Sequence, residues 1–184
     1  MVYHARMIDP ALGTLLGGAF ALLFASAALH KLRDLSGFAE LLAAYRVLPG
    51  ARYLAFLVPL TETLVACGLL LPRSRPAASL AGLGLLLLYA AAIALNLLRG
   101  RRELSCGCGG PEERRPIAAW MVTRNLLLAL LLAAAALPVS ARPLQAVDLL
   151  TVAAGIAVAS LLYMSADALL GRVMPRTQAW REHS

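Results

Sequence analysis

Five long apolar runs, parted by short charged stretches, make up most of this chain: Ala11–Leu29, Leu54–Leu71, Ala77–Leu98, Ile117–Leu137 and Ala146–Leu170. Each is close to the ~20 residues that a helix needs to cross the hydrocarbon core of a bilayer. In lipid only a helix or a closed barrel pairs every backbone amide, and nothing here alternates with the two-residue period of barrel strands. The pattern therefore predicts an all-α, polytopic membrane bundle of five spans forming one integral domain over 1–184. Ala25–Ser26–Ala27 resembles a signal-peptide cleavage site. The segment before it holds only Arg6 against Asp9, and the run is long enough to span, so it is read as a helix that stays.

A shorter element lies between the first two spans. Phe38, Leu41, Leu42 and Tyr45 fall at i, i+3, i+4 and i+7, one face of a helix. Ser36 is placed to cap it and Pro49–Gly50 to stop it. With Arg33 and Arg46 at its ends, it reads as an interfacial helix over about 36–48, either roofing the bundle or simply connecting its spans.

Composition sharpens this picture. Hydrophobic residues make up 60% of the chain and charged ones 15%, with mean hydropathy +0.74. A soluble domain carries about a quarter charged residues, so no separate soluble domain fits. The net charge of +7 does not point to nucleic acid, because the cations sit between spans, where lipid phosphates and the positive-inside bias account for them. Alternate loops share a side. Twelve Lys and Arg gather on the side of the 99–116 loop and four on the other, which the bias reads as a cytoplasmic 99–116 loop.

Counting crossings also sorts the polar residues inside the spans. His30 and Lys31 close the first span at the 99–116 end; Asn96 and Asp167 lie near the ends of the third and fifth. Glu62 and Arg124 lie roughly 12 and 10 Å below that end, by helical rise, with Asn125 beside Arg124. Nearly the whole intramembrane polar inventory thus falls in one leaflet. Glu62 and Arg124 are level enough to pair if the second and fourth spans are neighbours. Ionisable residues in a bilayer default to functional roles with a named partner; helix glue is the competing expectation.

Above that layer stands "RELSCGCGGPEERRP" (102–116), with two of the three cysteines one glycine apart. Gly107 permits the bend that would let Cys106 and Cys108 bridge, and so tight a ring is readily exchanged. Arg101, Arg102, Arg114 and Arg115 favour the thiolate, while Glu103, Glu112 and Glu113 oppose it. Three uses stay open: a dithiol/disulfide redox pair, a Cu(I) or other soft-metal site with His30 as the one available helper, or a structural staple. Zinc would want four ligands, and no dedicated metal set is expected. Cys67, about 20 Å from this end, reads as a buried packing residue.

The stretches "HKLRDLSGFAELLAAYRVLP", "PLTETLVACGLLL", "SCGCGG" and "TRNLLL", in this order, resemble the MauE family of methylamine-utilisation membrane proteins, within the broader DoxX-like group. The resemblance covers roughly residues 14–137, so the fifth span lies outside a four-helix MauE-like core. One departure is Gly109, where the family often carries a bulkier residue. The resemblance implies a multi-pass protein of the bacterial inner membrane that helps mature a periplasmic amine dehydrogenase, whose small subunit is disulfide-rich. A thioredoxin-like, membrane-anchored partner would exchange electrons with Cys106 and Cys108. By analogy with quinone-linked disulfide-forming membrane proteins, the polar layer would hold a quinone headgroup, with Arg124 or His30 donating to it. A Cu(I)-handling protein and a non-catalytic assembly subunit are the alternatives. The two lines of reasoning disagree on topology: arginines put the 99–116 loop in the cytoplasm, disulfide chemistry in the periplasm.

Overall fold

The computed structural model describes residues 7–47, 49–104, 116–140 and 142–181, those after 170 by backbone alone. Six helices form, α1 (Pro10–Arg33), α2 (Leu35–Tyr45), α3 (Ala51–Leu70), α4 (Arg75–Leu98), α5 (Ala119–Ala135) and α6 (Ala146–Arg181), and no strand forms among the described residues. Asp9 caps α1 by accepting from the Ala11 N–H at 2.8 Å, with Pro10 in the first turn where its missing N–H costs nothing. Asp34, not Ser36, caps α2: its carboxylate accepts from Gly37 N–H at 2.9 Å, and Ser36 donates to that same carboxylate at 3.0 Å. Arg46 then ends α2 in the left-handed region (φ 48°).

Four helices are long and apolar enough to cross a membrane: α1, α3, α4 and the Ala146–Leu170 part of α6. At 17 residues, about 25 Å of rise, α5 falls at the short end of that range. It is trimmed on both sides relative to the apolar run. Ile117 gives its N–H to Leu104 O at 2.9 Å and so stays outside the helix. Pro138 disfavours helical backbone at Leu137.

Neighbouring helices are α1 with α3, α3 with α4, α4 with α5 and α5 with α1, a closed square with α3 and α5 on opposite corners. Phe20, Phe24, Val65, Leu69, Leu86 and Leu132 fill its centre. Apolar contact with lipid is no worse than with protein, so such bundles hold together by close approach of small residues. At Gly17 an added methyl would come within 2.9 Å of Leu69 O, and at Gly82 within 2.8 Å of Leu132. These contacts also fix direction: the start of α1 meets the end of α3, and the start of α4 meets the end of α5, so both pairs are antiparallel. The ends of α1 and α4 and the starts of α3 and α5 therefore lie together, at what we term the loop end.

Outside this square, α6 packs on α1, with Val152 its only buried residue among those described. Leu150, Leu161 and Leu162 are each more than 60% exposed, an apolar face for lipid. At the far end from the loop, Ile8 and Val139 form a parallel bridge that ties the chain before α1 to the chain before α6.

Candidate functional site

The deepest polar cluster joins α1, α3 and α4. Glu62, placed on the inner stripe of α3 with Val65, Ala66 and Leu69, is fully buried. Lys31 Nζ lies 2.6 Å from Glu62 Oε1, and the Tyr89 hydroxyl donates to that same oxygen at 2.7 Å. Glu62 Oε2 has no hydrogen-bond partner among the described residues. The Lys31 ammonium also lies 5.5 Å from the Phe38 ring centroid and 5.4 Å from that of Tyr89, within cation–π range. Phe38 belongs to α2, so that helix reaches this cluster through its ring.

Glu62 does not pair with Arg124. The two stand on helices at opposite corners of the square, and each has found a nearer partner. Arg124 points outward and donates from Nη1 to Asp167 Oδ1 on α6. Its guanidinium carbon lies 5.2 Å from the Trp120 ring centroid and 5.9 Å from that of Tyr163. Arg124 Nε is buried without a partner among the described residues.

Nearer the loop end, Asn96 is fully buried, donating to Ala92 O at 3.0 Å and accepting from Arg101 Nη1 at 3.4 Å. Arg101 Nη1 also donates to Ala44 O at 3.0 Å, and Arg99 Nη1 to Arg46 O at 3.2 Å. These cations meet the open carbonyls of α2's last turn, where positive charge is favoured. Tyr45 is buried against Ile93, Ile117 and Met121, and burial pushes its phenol up to about 12. Asn125 is buried but turned onto its own helix, donating to Met121 O at 2.8 Å. His30 is half-buried, about 100° around α1 from Lys31.

The structure thus unites Lys31 with Glu62, and Arg124 with Asp167, as two separate pairs instead of one pocket. The polar inventory is also less one-sided than the crossing count implied: Arg75 and Ser79 are buried at the far end, with Arg75 Nε donating to Leu69 O at 3.2 Å. Cys67 is exposed on the outer face of α3 and does not pack in the core. Cys106 and Cys108 lie outside the described residues. The two feet of their segment are described: the Ile117–Leu104 backbone bond closes it, and Ile117 is buried among Tyr45, Ile93 and Met121. Tyr89 was missed from sequence. Its signal was present, since it lies seven residues, two turns, before Asn96 on one face of α4.

Comparison with known proteins matches residues 9–138 to the family described as Methylamine utilisation protein MauE. The chain is 40% identical over 154 residues to Methylamine utilization protein MauE of Paracoccus denitrificans, covering 82% of this chain and 83% of that one. It is 40% identical over 166 residues to its counterpart in Paracoccus versutus, covering 89% of each. With that of Methylophilus methylotrophus it shares 35% identity over 167 residues, 89% of this chain and 88% of the relative. No solved structure matches.

Proposed function

The chain belongs to the MauE family, and from that premise we propose that it is a membrane-embedded thiol–disulfide redox component of methylamine utilisation. Cys106 and Cys108 are the exchanging pair. They serve the maturation of a disulfide-rich amine dehydrogenase subunit through a thioredoxin-like, membrane-anchored partner, and their electrons leave to a lipid-soluble quinone. The protein resides in the bacterial inner membrane with the cysteine loop on the periplasmic side.

Support comes chiefly from one observation: the segment bearing both thiols is footed, by the Leu104–Ile117 bond, on the bundle end toward which Lys31, Glu62 and Asn96 are buried. In sequence Arg101, Arg102, Arg114 and Arg115 flank the thiols and favour the thiolate, against Glu103, Glu112 and Glu113. The arginine count that opposes a periplasmic loop includes groups engaged in packing. Arg99 and Arg101 close the end of α2, and Lys31 is buried on Glu62.

The test is substitution in a methylamine-using host lacking its own copy. C106S and C108S each abolish methylamine-dependent growth while the protein still reaches the membrane at wild-type level. Wild-type growth of the double serine variant would falsify the redox role, and stoichiometric copper on thiols that stay reduced would replace it with metal handling. An impermeant thiol reagent applied to intact cells, after reduction, labels Cys106 and Cys108 if the loop is periplasmic.

A further inference from the structure

A lysine near the end of a membrane helix ordinarily runs its stem outward and keeps its ammonium in water. Lys31, two residues before the end of α1, turns inward and is only 7% exposed. Its partner Glu62 is 0% exposed, so both charges are desolvated where apolar side chains of similar volume would pack at least as well. The hydrogen bonds on Glu62 are also shared unequally. Lys31 and Tyr89 both converge on Oε1, while Oε2 has no partner among the described residues. An ionised carboxylate carries its charge on both oxygens and accepts on both. Leaving one bare and buried costs about 1–3 kcal/mol, and more for a charged group. A pair serving only to join helices gains nothing from an oxygen that no described residue bonds.

We propose that Glu62 is an intramembrane proton-carrying residue: Oε2 takes up one proton and releases it again, while Lys31 and Tyr89 act as positioning residues on Oε1. Its place in the chemistry rests on the thiol–quinone reading above. Oxidising two thiols breaks two S–H bonds, forms one S–S bond and releases two electrons and two protons. The quinone takes both electrons and becomes a quinol only when both protons reach its two oxygens. Glu62 passes those protons one at a time and ends each cycle as it began. On the inner face of α4, two polar groups stand between the loop end and Glu62, with the buried Ile93 between them. Arg101 holds Asn96 there, and Tyr89 lies seven residues deeper on the same face, about 10 Å further in. The groups that face the Glu62 carboxylate are Lys31 from α1 and Tyr89 from α4; Phe38 from α2 adds only an uncharged ring over Lys31.

The test uses full-length protein in membranes, in a C67S background. Reduced membranes are given a short-chain benzoquinone and quenched with a mass-adding maleimide, which reads the rate of disulfide formation. E62Q keeps the shape without a carboxyl that can gain and lose a proton, and K31M/E62Q removes both charges together. We expect both to oxidise about 100-fold slower, with the double variant unfolding at the wild-type midpoint. E62D should stay within about tenfold of wild type. Time-resolved infrared spectra taken during oxidation should contain a transient carboxyl C=O band that shifts in D2O, moves in Y89F and vanishes in E62Q. Wild-type rates in K31M/E62Q, or no such band, overturn the proton-carrying role and leave a structural ion pair. Absence of quinone-driven oxidation in the unaltered protein sinks the thiol–quinone reading instead. Infrared spectra across a pH jump then decide Glu62 alone: a carboxyl band lost in E62Q supports it, and none overturns it.

Discussion

Two ion pairs lie toward the same end of this bundle and are built for different ends. Lys31–Glu62 faces inward, with side-chain exposures of 8% and 0%, and among the described residues its carboxylate is bonded on one oxygen only. Arg124–Asp167 faces outward between the four-helix core and α6, with exposures of 14% and 24%, and its guanidinium is flanked by Trp120 and Tyr163. Burial rather than charge separates them. Asp167 keeps a quarter of its side-chain surface outside the protein, and aromatic faces hold the arginine in place. Such a pair fastens one helix to another. The inner pair is enclosed by protein, so each charge depends chiefly on the other, with Tyr89 and Phe38 as the remaining polar and ring contacts.

Breaking the inner pair on one side should therefore have the larger effect. K31M leaves the buried Glu62 carboxyl without its cation, a loss of about 3–5 kcal/mol, read as an earlier unfolding midpoint in mixed micelles. K31M/E62Q should recover most of that. If K31M alone were neutral, Glu62 would not be relying on its lysine, and the contrast between the two pairs would vanish. D167N should cost less, about 1 kcal/mol or below, and should not lower that midpoint detectably. Its effect should be local: faster cleavage or amide exchange in the last described turns of α6, with α1, α3 and α4 unchanged. Global unfolding by D167N would make α6 part of the core.

The levels of these residues were legible in the sequence, and their partners were not. Counting spans places Lys31, Glu62, Asn96, Arg124 and Asp167 at one end because each apolar run must cross and each loop must return. Parity says nothing about rotation around a helix or about which helices touch. Hence Glu62 and Arg124, both toward the loop end, stand on opposite corners of the square. Tyr89 was hidden because one hydroxyl in a run of Leu and Ala barely alters hydropathy, although its two-turn spacing from Asn96 marks a shared face. Cys67 was misplaced for a related reason: an apolar run buried in lipid has an outside as well as an inside, and hydropathy alone does not tell them apart. Local signals fared unevenly too. The period of α2 was readable from Phe38, Leu41, Leu42 and Tyr45, whereas its cap fell to Asp34, the stronger acceptor two residues earlier than Ser36.

The far end of the molecule offers the mildest test of the same contrast, because its clasp is exposed. Arg142 donates to Asp9 Oδ1 at 2.9 Å and to Asp148 Oδ2 at 2.7 Å, joining the cap of α1 to the first turn of α6. The hydrogen bond from Arg142, then that from the Ala11 N–H, holds the Asp9 carboxyl below its ordinary value of 3.8. An acid whose folded value is depressed contributes fully above its unfolded value and loses that contribution as pH falls through the folded one. The clasp should thus be constant from neutral pH down to about pH 4 and weaken only below it. Amide exchange in the first turn of α6, followed across that range, reads this directly. R142M should raise exchange at neutral pH and remove most of the acid dependence. Loosening that begins well above pH 4 would mean that another group controls this end, and Arg142 would be a bystander between two acids.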